Sequence, residues 1–391
     1  MSQSNSTARD EIATLFNSPI LDLVYRAATV HRQHHDPRQV QVCTLLSIKT
    51  GGCPEDCGYC SQSAHFDSGL ERQGLLSITA VDEAAKQAAA DGSTRFCMGA
   101  AWRQVRDGEE FDRVLEMVRT VAATGMEVCC TLGMLNGEQA HKLKEAGLTA
   151  YNHNLDTGEN YYSEVVTTRT YQDRIETIGH VGRAGISVCC GGILGLGESD
   201  EDRIDLLHAL SQLPTQPESI PVNTLVPIAG TPLADAEPAS IWDQVRMVAC
   251  ARILFPEAMV RLSAGRDGLS ATAQSLCFLA GANSIFSGDK LLTTPHPGAD
   301  ADQALFDRLD LEPRPSHRDA SEFVEQLEEP RRGFRPLAGH HPPGSGKAGS
   351  HVGVQQAFDF RPQPLRIPDT ADRATGLQSG DRFRVRSDDR P

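Results

Sequence analysis

The sequence predicts a TIM-type (β/α)8 barrel of the α/β class, with an N-terminal helical cap before it and a disordered C-terminal tail after it. Short strand-like runs alternate with amphipathic helical stretches from about residue 40 to about residue 290. Repeated alternation of strand and helix implies parallel pairing, and eight such units fit a closed barrel. The composition then changes after about Glu312. A doubly wound open sheet is the alternative, which periodicity alone does not exclude.

The elements follow one another in a regular order. Residues 10–35 form the predicted cap. The strands are predicted at Val42–Lys49, Thr94–Gly99, Glu127–Leu132, Ala150–Asp156, Ile186–Ile193, Ser219–Val226, Met259–Ala264 and Asn283–Ser287. The helices between them are predicted at Val81–Ala90, Glu109–Ala123, Glu138–Ala146, Gln172–Ala184, Asp200–Leu213, Ile241–Phe255 and Ser270–Ala280.

Three segments follow from these elements. We expect a cap over residues 1–38, a barrel over residues 39–312 and an extension over residues 313–391. Pro342, Pro343 and the polar residues around them predict disorder from about residue 331. His340 and His341 in this tail form either a stray metal site or, more simply, a solvated pair.

Charge and cysteine content exclude several classes of partner. The formal net charge of −15 argues against nucleic acid or an anionic membrane, because both select a basic face. No stretch is long and apolar enough to span a bilayer, and Met1 to Asp10 lack the apolar core of a secretory signal. The chain has 11 cysteines, an odd number that favours metal or redox chemistry over disulfides in a leaderless chain. We therefore expect a cytoplasmic protein.

The strongest motif is a cysteine loop directly after the first predicted strand. Cys53, Cys57 and Cys60 lie within eight residues, so their thiolates can converge on one side of a tight loop. Gly51, Gly52 and Gly58 relax the backbone around them. A zinc knuckle is the alternative, although tetrahedral structural zinc takes four ligands.

This C-x3-C-x2-C spacing, with Tyr59 before its last cysteine, resembles the radical S-adenosylmethionine (SAM) superfamily. The resemblance implies a [4Fe–4S] cluster on Cys53, Cys57 and Cys60, with one open iron that chelates the amino and carboxylate groups of SAM. A reduced cluster would split SAM into methionine and a 5′-deoxyadenosyl radical, which abstracts hydrogen from unactivated C–H bonds. The protein would hold the cofactor and exclude water and oxygen.

Strand alternation places a second group of cysteines inside the barrel. Cys97, Cys129 and Cys189 lie on the polar faces of three strands, and Arg261 lies on that of a fourth. Barrel interiors are normally filled by Val, Ile and Leu, so this set predicts a cavity with a second metal centre. The other cysteines are interpreted as packing residues, although a register shift would exchange two of them with Cys129 and Cys189: Cys43, Cys130, Cys190, Cys250 and Cys277.

Five segments are similar to the biotin synthase family, within a match from about residue 10 to about residue 310. They are Arg95–Trp102, Tyr151–Asp156, Val260–Arg266, Gly281–Phe286 and Leu291–Thr294. The resemblance implies sulfur insertion into dethiobiotin, with two SAM molecules spent, one for each C–H bond broken. It also implies a [2Fe–2S] cluster as the sulfur donor, held in the barrel by four residues that are catalytic in this sense: Cys97, Cys129, Cys189 and Arg261.

The resemblance also assigns residues to SAM, namely Tyr59, Asn154, Asp156, Arg174 and Ile193. Asn154 and Asp156 would bind the ribose hydroxyls, and Arg174 the methionine carboxylate, unless it is a plain surface arginine of its helix. Ile193 lies in a G-x-I-x-G-x-x-E pattern over residues 191–198 that is associated with the adenine site. A glycine-rich turn into a helix capped by Ser199 is the alternative there.

Four residues are predicted to contact the substrate: Asn152, Asn223, Thr293 and Thr294. Asn152 shares one strand face with Asn154 and Asp156, which supports an inward polar cluster independently of the family. Asn223 would hold the ureido ring, or it is a structural asparagine near a turn. The two threonines would receive the substrate carboxylate, or they belong to a plain loop. Lys49 is placed to offset the negative charge of the cluster.

The family implies a homodimer, and analogy suggests a flavodoxin or ferredoxin as electron donor. Two other functions stay open on the sequence. One is a related radical enzyme that isomerises or methylates a small molecule, and the other is a non-catalytic iron–sulfur or zinc scaffold. Iron and sulfide counts on anaerobically purified protein separate the three.

Overall fold

The computed structural model describes residues 2–288, 290–295 and 297–316. The tail predicted to be disordered, with His340 and His341, lies outside these residues. Within them the strands are β1 Gln39–Lys49, β2 Arg95–Ala100, β3 Glu127–Thr131, β4 Ala150–Asn152, β5 Ser187–Cys189, β6 Gly192–Leu194, β7 Ser219–Thr224, β8 Met259–Leu262, β9 Ser284–Phe286, β10 Lys290–Leu291, β11 Thr294–Pro295 and β12 Glu312–Pro313.

The helices alternate with the strands of the sheet. They are α1 Ser2–Phe16, α2 Ile20–His34, α3 Ile78–Ala90, α4 Glu109–Ala122, α5 Gly137–Glu145, α6 Glu159–Val165, α7 Tyr171–Arg183, α8 Asp200–Gln212, α9 Ile241–Leu254, α10 Ala271–Leu279 and α11 Ala299–Leu309. A short 3-10 turn, Arg266–Gly268, follows β8. Helices α6 and α11 fall outside the helices that the sequence pattern predicts.

The parallel sheet closes on itself. Its strands pair in the order β1-β2-β3-β4-β5-β7-β8-β9, with β6 beside β7, and β9 pairs with β1. The closing register sets Gln41 opposite Ser284 and Cys43 opposite Phe286. The predicted closed barrel is therefore confirmed, and the open doubly wound sheet is excluded.

The predicted strands differ from the observed ones mainly at two places. The fourth strand ends at Asn152, not at Asp156, because the chain turns there and Asp156 takes a positive φ of 69°. The predicted fifth strand is divided into β5 and β6 at Cys190 and Gly191. Both irregularities lie at the carboxyl ends of the strands, where functional residues collect in barrels of this kind.

The hydrophobic core lies between the barrel and its surrounding helices. Phe96, Met98, Val128 and Val260 are fully buried there, and they occupy the strand face opposite to that of Cys97 and Arg261. Helices α5, α7, α8 and α9 each begin with a capping box, which fixes where the loop above the strand ends. Loop positions at the upper rim are thus set by local hydrogen bonds as well as by packing.

Helices α1 and α2 precede the barrel and pack on its outer helices. Arg9 of α1 pairs with Asp205 of α8, with 2.6 Å between Nε and Oδ1. Helix α2 packs along α9, whose Arg246 Nη1 donates to the carbonyl oxygen of Ser18 at 2.9 Å. At the other end of the described chain, β12 pairs with the first residues of β1.

Candidate active site

A cavity of about 310 Å³ opens at the carboxyl ends of the strands. Its wall contains residues of the cysteine loop, of the inner strand faces and of the segment after β9. Every site residue predicted from the sequence lines this cavity except Cys189, which is fully buried outside its wall. The barrel therefore brings together residues that are more than 200 positions apart in the chain.

Backbone hydrogen bonds hold the cysteine loop in shape. Gly51 and Gly52 take positive φ values of 74° and 71°, which favour glycine, whereas Gly58 lies outside that region. The Cys53 N–H donates to the Gln62 carbonyl at 2.9 Å, and the Cys60 N–H donates to the Cys57 carbonyl at 2.9 Å. The three thiols therefore face one cavity from a fixed turn.

Burial is the main influence on these thiols. It raises the pKa of Cys53 and of Cys60, and it raises the pKa of Cys57 to about 12 against the opposing charge of Arg169. Arg169 Nη2 also donates a hydrogen bond to Cys57 Sγ at 3.4 Å. Without a bound metal the thiols stay protonated, so metal binding must release protons.

The donor set fits an iron–sulfur cluster better than a single ion. All 11 cysteines of the chain lie in the described residues and are free thiols. Across the described ranges, no three Cys, His, Asp or Glu side chains converge as they would on one metal ion. A four-iron cluster binds each cysteine through a different iron, so its ligands stand further apart than those of a tetrahedral zinc.

A second group of thiols lies in the lumen of the barrel. Cys97 of β2 and Cys129 of β3 are register partners on adjacent strands. Cys189 of β5 accepts a hydrogen bond from Arg261 Nη1 at 3.6 Å. The guanidinium of Arg261 also lies over the Phe286 ring, 4.9 Å from its centre. Three thiols and one guanidinium thus lie inside a lumen that apolar side chains would otherwise fill.

Two arginines stabilise negative charge in this lumen. A hydrogen bond from Cys97 lowers the pKa of Cys129, burial opposes that shift, and the charges of Arg95 and Arg261 add to it. Burial raises the pKa of Cys189 to about 11, although Arg261 acts in the opposite direction. The surroundings of Cys129 therefore lower its pKa, whereas those of Cys189 raise it.

The remaining cysteines divide differently from the sequence interpretation. Cys130, Cys190, Cys250 and Cys277 pack in the core outside the barrel, as interpreted. Cys43 packs as well, but on the inner side of the barrel. It is the register partner of Arg95, and it belongs to a separate buried cluster with Cys97 and Cys129. Cys43 lies on the inner face of β1, because its register partner Arg95 shares a strand face with Cys97.

A network of charged and phenolic groups borders the cysteine loop. Arg174 is 4% exposed and pairs with Asp156, so the surface-arginine alternative is wrong. Its Nε donates to the hydroxyl of Tyr162 at 2.9 Å. The Tyr59 hydroxyl donates to Asp156 Oδ2 at 3.1 Å. One carboxylate is thus shared by a tyrosine of the cysteine loop and an arginine of α7.

The glycine-rich segment after β5 is an ordered turn. Glu198 accepts hydrogen bonds from the backbone N–H groups of Gly195 and Leu196, and Ser199 caps α8. Asn154 Oδ1 accepts from the Gly191 N–H at 3.2 Å. Ile193 lines the cavity. The segment therefore forms a turn into a capped helix and also lines the cavity, so the two interpretations of this segment are compatible.

The predicted substrate residues differ in how much hydrogen-bonding capacity is free. Asn152 Nδ2 donates to Thr131 Oγ1 at 3.1 Å, but within the described part of the chain its Oδ1 has no hydrogen-bond partner. Asn223 Nδ2 donates to the Gly192 carbonyl at 2.9 Å, and its Oδ1 accepts from the Ala264 N–H at 3.2 Å. Asn223 thus has a structural role that links three strand ends.

The threonines lie in the segment after β9. Thr293 Oγ1 is 2.8 Å from Ser61 Oγ, which ties this segment to the cysteine loop. Thr294 Oγ1 donates to the Leu291 carbonyl at 3.1 Å. Lys49 Nζ donates to the Ala101 carbonyl at 3.5 Å.

The sequence interpretation does not include two residues of the rim, Arg169 and Tyr162. Arg169 follows Thr167 and Thr168, both of which bond to Asp56 of the cysteine loop. No local pattern marks Arg169, because its contact with Cys57 spans 112 positions. Gln41 and Ser284, which bond to Arg261 in the lumen, also carry no sequence signal of their own beyond strand alternation.

Known proteins share both the fold and the sequence. Residues 47–210 match the Radical SAM superfamily, and residues 221–312 match the Biotin and Thiamin Synthesis associated domain. The chain is 65% identical to the biotin synthase of Gloeobacter violaceus over 304 residues, which are 78% of this chain and 96% of that relative. It is 58% identical to the mitochondrial biotin synthase of Arabidopsis thaliana over 312 residues, 80% of this chain and 82% of that relative. The crystal structure of methylornithine synthase has a TM-score of 0.68 and covers 81% of this chain and 96% of its own, and at 18% identity it shows the common fold.

The barrel and its cysteine loop define the class of this protein as a radical SAM enzyme. The chain belongs to the biotin synthase family. It is a sulfurtransferase of biotin synthesis, and a [4Fe–4S] cluster and SAM are its cofactors. No helix in the described ranges has both the length and the apolar character needed to cross a membrane.

Proposed function

We propose that this enzyme inserts sulfur into dethiobiotin with two iron–sulfur clusters at opposite ends of one cavity. Cys53, Cys57 and Cys60 would hold the [4Fe–4S] cluster at the rim. Four lumen residues would hold a [2Fe–2S] cluster: Cys97, Cys129, Cys189 and Arg261. The observation that carries the proposal is the hydrogen bond between Arg261 and Cys189, in the same lumen as the adjacent Cys97 and Cys129.

When bound, a reduced [4Fe–4S] cluster supplies the electron that splits SAM into methionine and a 5′-deoxyadenosyl radical, and a [2Fe–2S] cluster supplies the sulfur. The chain's own residues bind and orient the reactants. Arg174 would bind the methionine carboxylate, and Asn154 and Asp156 the ribose hydroxyls. Ile193 would pack on the adenine, and Tyr59 would border it. The pair of Arg174 and Asp156 supports this assignment, because it keeps both groups buried and oriented beside the cysteine loop.

The substrate would lie between the two clusters. Asn152 is the strongest candidate for a ureido contact, because its Oδ1 can accept an N–H while Thr131 holds its amide. Asn223 would contribute through a second lone pair of its Oδ1, since the amide already bonds to the backbone on both sides. Thr293 and Thr294 would receive the substrate carboxylate. The hydrogen bond of Thr293 to Ser61 supports a position beside the cysteine loop.

The partners stay predictions. A flavodoxin or ferredoxin would donate electrons, and a second copy of the chain would complete a homodimer. Leu21 and Tyr25 of α2, each 75% exposed, and Trp242 of α9, 56% exposed, support an apolar contact surface for that second copy. A cytoplasmic location and the division into residues 1–38, 39–312 and 313–391 are also predictions. The mitochondrial relative shows that family members occur in an organelle.

The first test removes a ligand of the rim cluster. Cys53→Ala should abolish the release of 5′-deoxyadenosine from SAM, because the cluster loses one of its three protein ligands. Chromatographic detection of deoxyadenosine under anaerobic reducing conditions measures the effect. Continued release at the wild-type rate would contradict the assignment of Cys53.

The second test separates the two clusters. Cys189→Ala should retain part of the SAM cleavage but form no thioether product, because the rim cluster stays intact while the sulfur donor is lost. Cys190→Ala is the matched control, since Cys190 is equally buried but packs outside the barrel. Normal biotin formation by the Cys189 variant would defeat the lumen assignment.

A further inference from the structure

The lumen contains a thiol that the proposed ligand set leaves out. Cys43 of β1 is fully buried, and its register partners are Arg95 on β2 and Phe286 on β9. It packs with Cys97 and Cys129 in a buried cluster separate from the main core. Cys43 is therefore a fourth lumen thiol, in the same buried cluster as two proposed cluster ligands.

Cys43 and Arg261 share the same two hydrogen-bonding partners. Cys43 Sγ donates to Gln41 Oε1 at 3.7 Å and lies 3.8 Å from Ser284 Oγ. Arg261 Nη2 donates to the same Gln41 oxygen at 3.1 Å, and its Nε donates to the same Ser284 oxygen at 2.9 Å. Two groups that use the same pair of anchors occupy neighbouring positions in the lumen.

The chemistry of the two groups differs. A thiolate is a soft ligand that iron–sulfur clusters use almost universally. A guanidinium has only donors, so it must lose a proton before a nitrogen can bind a metal. In this structure Arg261 donates to Ser284, Gln41 and Cys189 at once, which is the behaviour of a protonated cation. Next to such a cation, a thiolate at Cys43 is a competent alternative ligand.

We infer that Cys43 is an exchangeable fourth ligand of the lumen cluster, which binds the iron in place of Arg261. When its sulfur binds iron, the thiol proton passes to the leaving guanidine, which becomes a guanidinium, and no electron is transferred. This exchange would leave the lumen cluster with thiolates as its protein ligands, in place of three thiolates and a guanidine. The inference rests on the proposed function, because it requires a cluster in the lumen.

The test compares iron retention in matched variants of the full chain. The wild type, Arg261→Met, Arg261→Met with Cys43→Ser, and Arg261→Met with Cys190→Ser are reconstituted anaerobically, and iron and sulfide are counted. Arg261→Met should keep the lumen cluster because Cys43 fills the open position. Adding Cys43→Ser should remove most of the lumen iron, whereas adding Cys190→Ser should leave it unchanged.

Mössbauer spectra supply a second measurement that does not depend on activity. In the Arg261→Met protein, the lumen irons should show sulfur ligation only, and this signal should disappear on adding Cys43→Ser. Thermal melting checks that each variant folds. If the Arg261→Met protein does not fold, Arg261→Lys replaces this substitution in all three variants.

The outcomes separate the two proposals. A wild-type chain that holds iron and sulfide for the rim cluster alone would overturn both the sulfur-donor proposal and the role of Cys43. A wild-type chain with both clusters, together with equal lumen iron in Arg261→Met with and without Cys43→Ser, would overturn the role of Cys43 only. Loss of the lumen iron from a folded Arg261→Met chain would also overturn the role of Cys43 only.

Discussion

At the scale of single residues, the buried Arg95 is tolerated inside this barrel because it pairs with two carboxylates. Arg95 is 2% exposed at the amino-terminal end of β2. Its Nε is 2.7 Å from Glu127 Oε2, and its Nη2 is 2.9 Å from Glu218 Oε1. Gln41 Nε2 also donates to Glu127 at 3.1 Å. These groups close the lumen below the thiols and hold the Arg95 guanidinium between two carboxylates.

Removing this arginine should destabilise the protein strongly. Arg95→Met removes the arginine that pairs with Glu127 and Glu218 at the base of the lumen, and breaking such a buried pair costs about 3–5 kcal/mol. Urea unfolding of the two proteins measures the difference in the free energy of unfolding.

A second substitution provides the control for the loss of Arg95. Adding Glu127→Gln to Arg95→Met should recover part of the lost stability, because the uncompensated charge is then smaller. A loss below about 1 kcal/mol for Arg95→Met alone would show that water or another cation compensates the carboxylates.

At the scale of elements, the break between β5 and β6 positions the site. A Cβ added at Gly191 would overlap the carbonyl oxygen of Pro221 in β7. The absence of a side chain therefore allows the two strands to approach, and it leaves the Gly191 N–H to bond with Asn154. The same turn carries Ile193 towards the cavity and ends at the cap of α8.

The close approach at Gly191 makes a direct prediction. Gly191→Ala should lower the free energy of unfolding by about 1–3 kcal/mol, because the strands must separate to accept the methyl group. It should also weaken SAM binding if Asn154 contacts the ribose. Gly74→Ala is the control, since a Cβ there meets no atom within 4 Å and should be nearly neutral. Equal melting temperatures for the two variants would contradict the prediction.

At the scale of the whole molecule, the packing of helix α2 on α9 makes the stability of the protein depend on pH. His31 of α2 is 2% exposed. Burial lowers its pKa from 6.5 to about 3, and the charge of Arg252 adds to that shift. His35 behaves similarly: burial and Arg252 lower its pKa to about 4, and Arg252 Nη1 donates to its ring at 2.9 Å. The side chains of His31 and His35 are therefore neutral when helix α2 is packed on the barrel.

These depressed pKa values predict lower stability in acid. The unfolded chain binds a proton at His31 below about pH 6.5, whereas the folded chain does not until about pH 3, so this stability is present at neutral pH and is lost as the pH falls between these values. His31 alone should cost about 1 kcal/mol between about pH 7.5 and about pH 5.5. Urea unfolding at the two pH values measures it.

Two variants isolate this effect. His31→Leu should reduce the pH dependence by the stated amount, because the residue no longer titrates in the unfolded chain. His141→Gln is the control, since His141 is exposed on α5 and should leave the slope unchanged. An unaltered slope in the His31 variant would assign the acid sensitivity to other groups.

The sequence by itself determined the class of fold, the cysteine loop and the facing of most lumen residues. These features depend on periods of two and 3.6 residues and on spacing within a few positions, which local chain geometry imposes. The register of β1 puts Cys43 on the inner face as well, opposite Arg95.

Only the tertiary structure decided which residues meet. The inward position of Arg174, the contact of Arg169 with Cys57 across 112 positions, and the burial of Cys189 outside the cavity wall depend on closure of the barrel. The same holds for Asn223, whose amide joins strand ends that are 31 and 41 positions away. The contacts of long side chains at the barrel rim depend on residues that are far away in the sequence. A local repeat in the sequence does not predict such contacts.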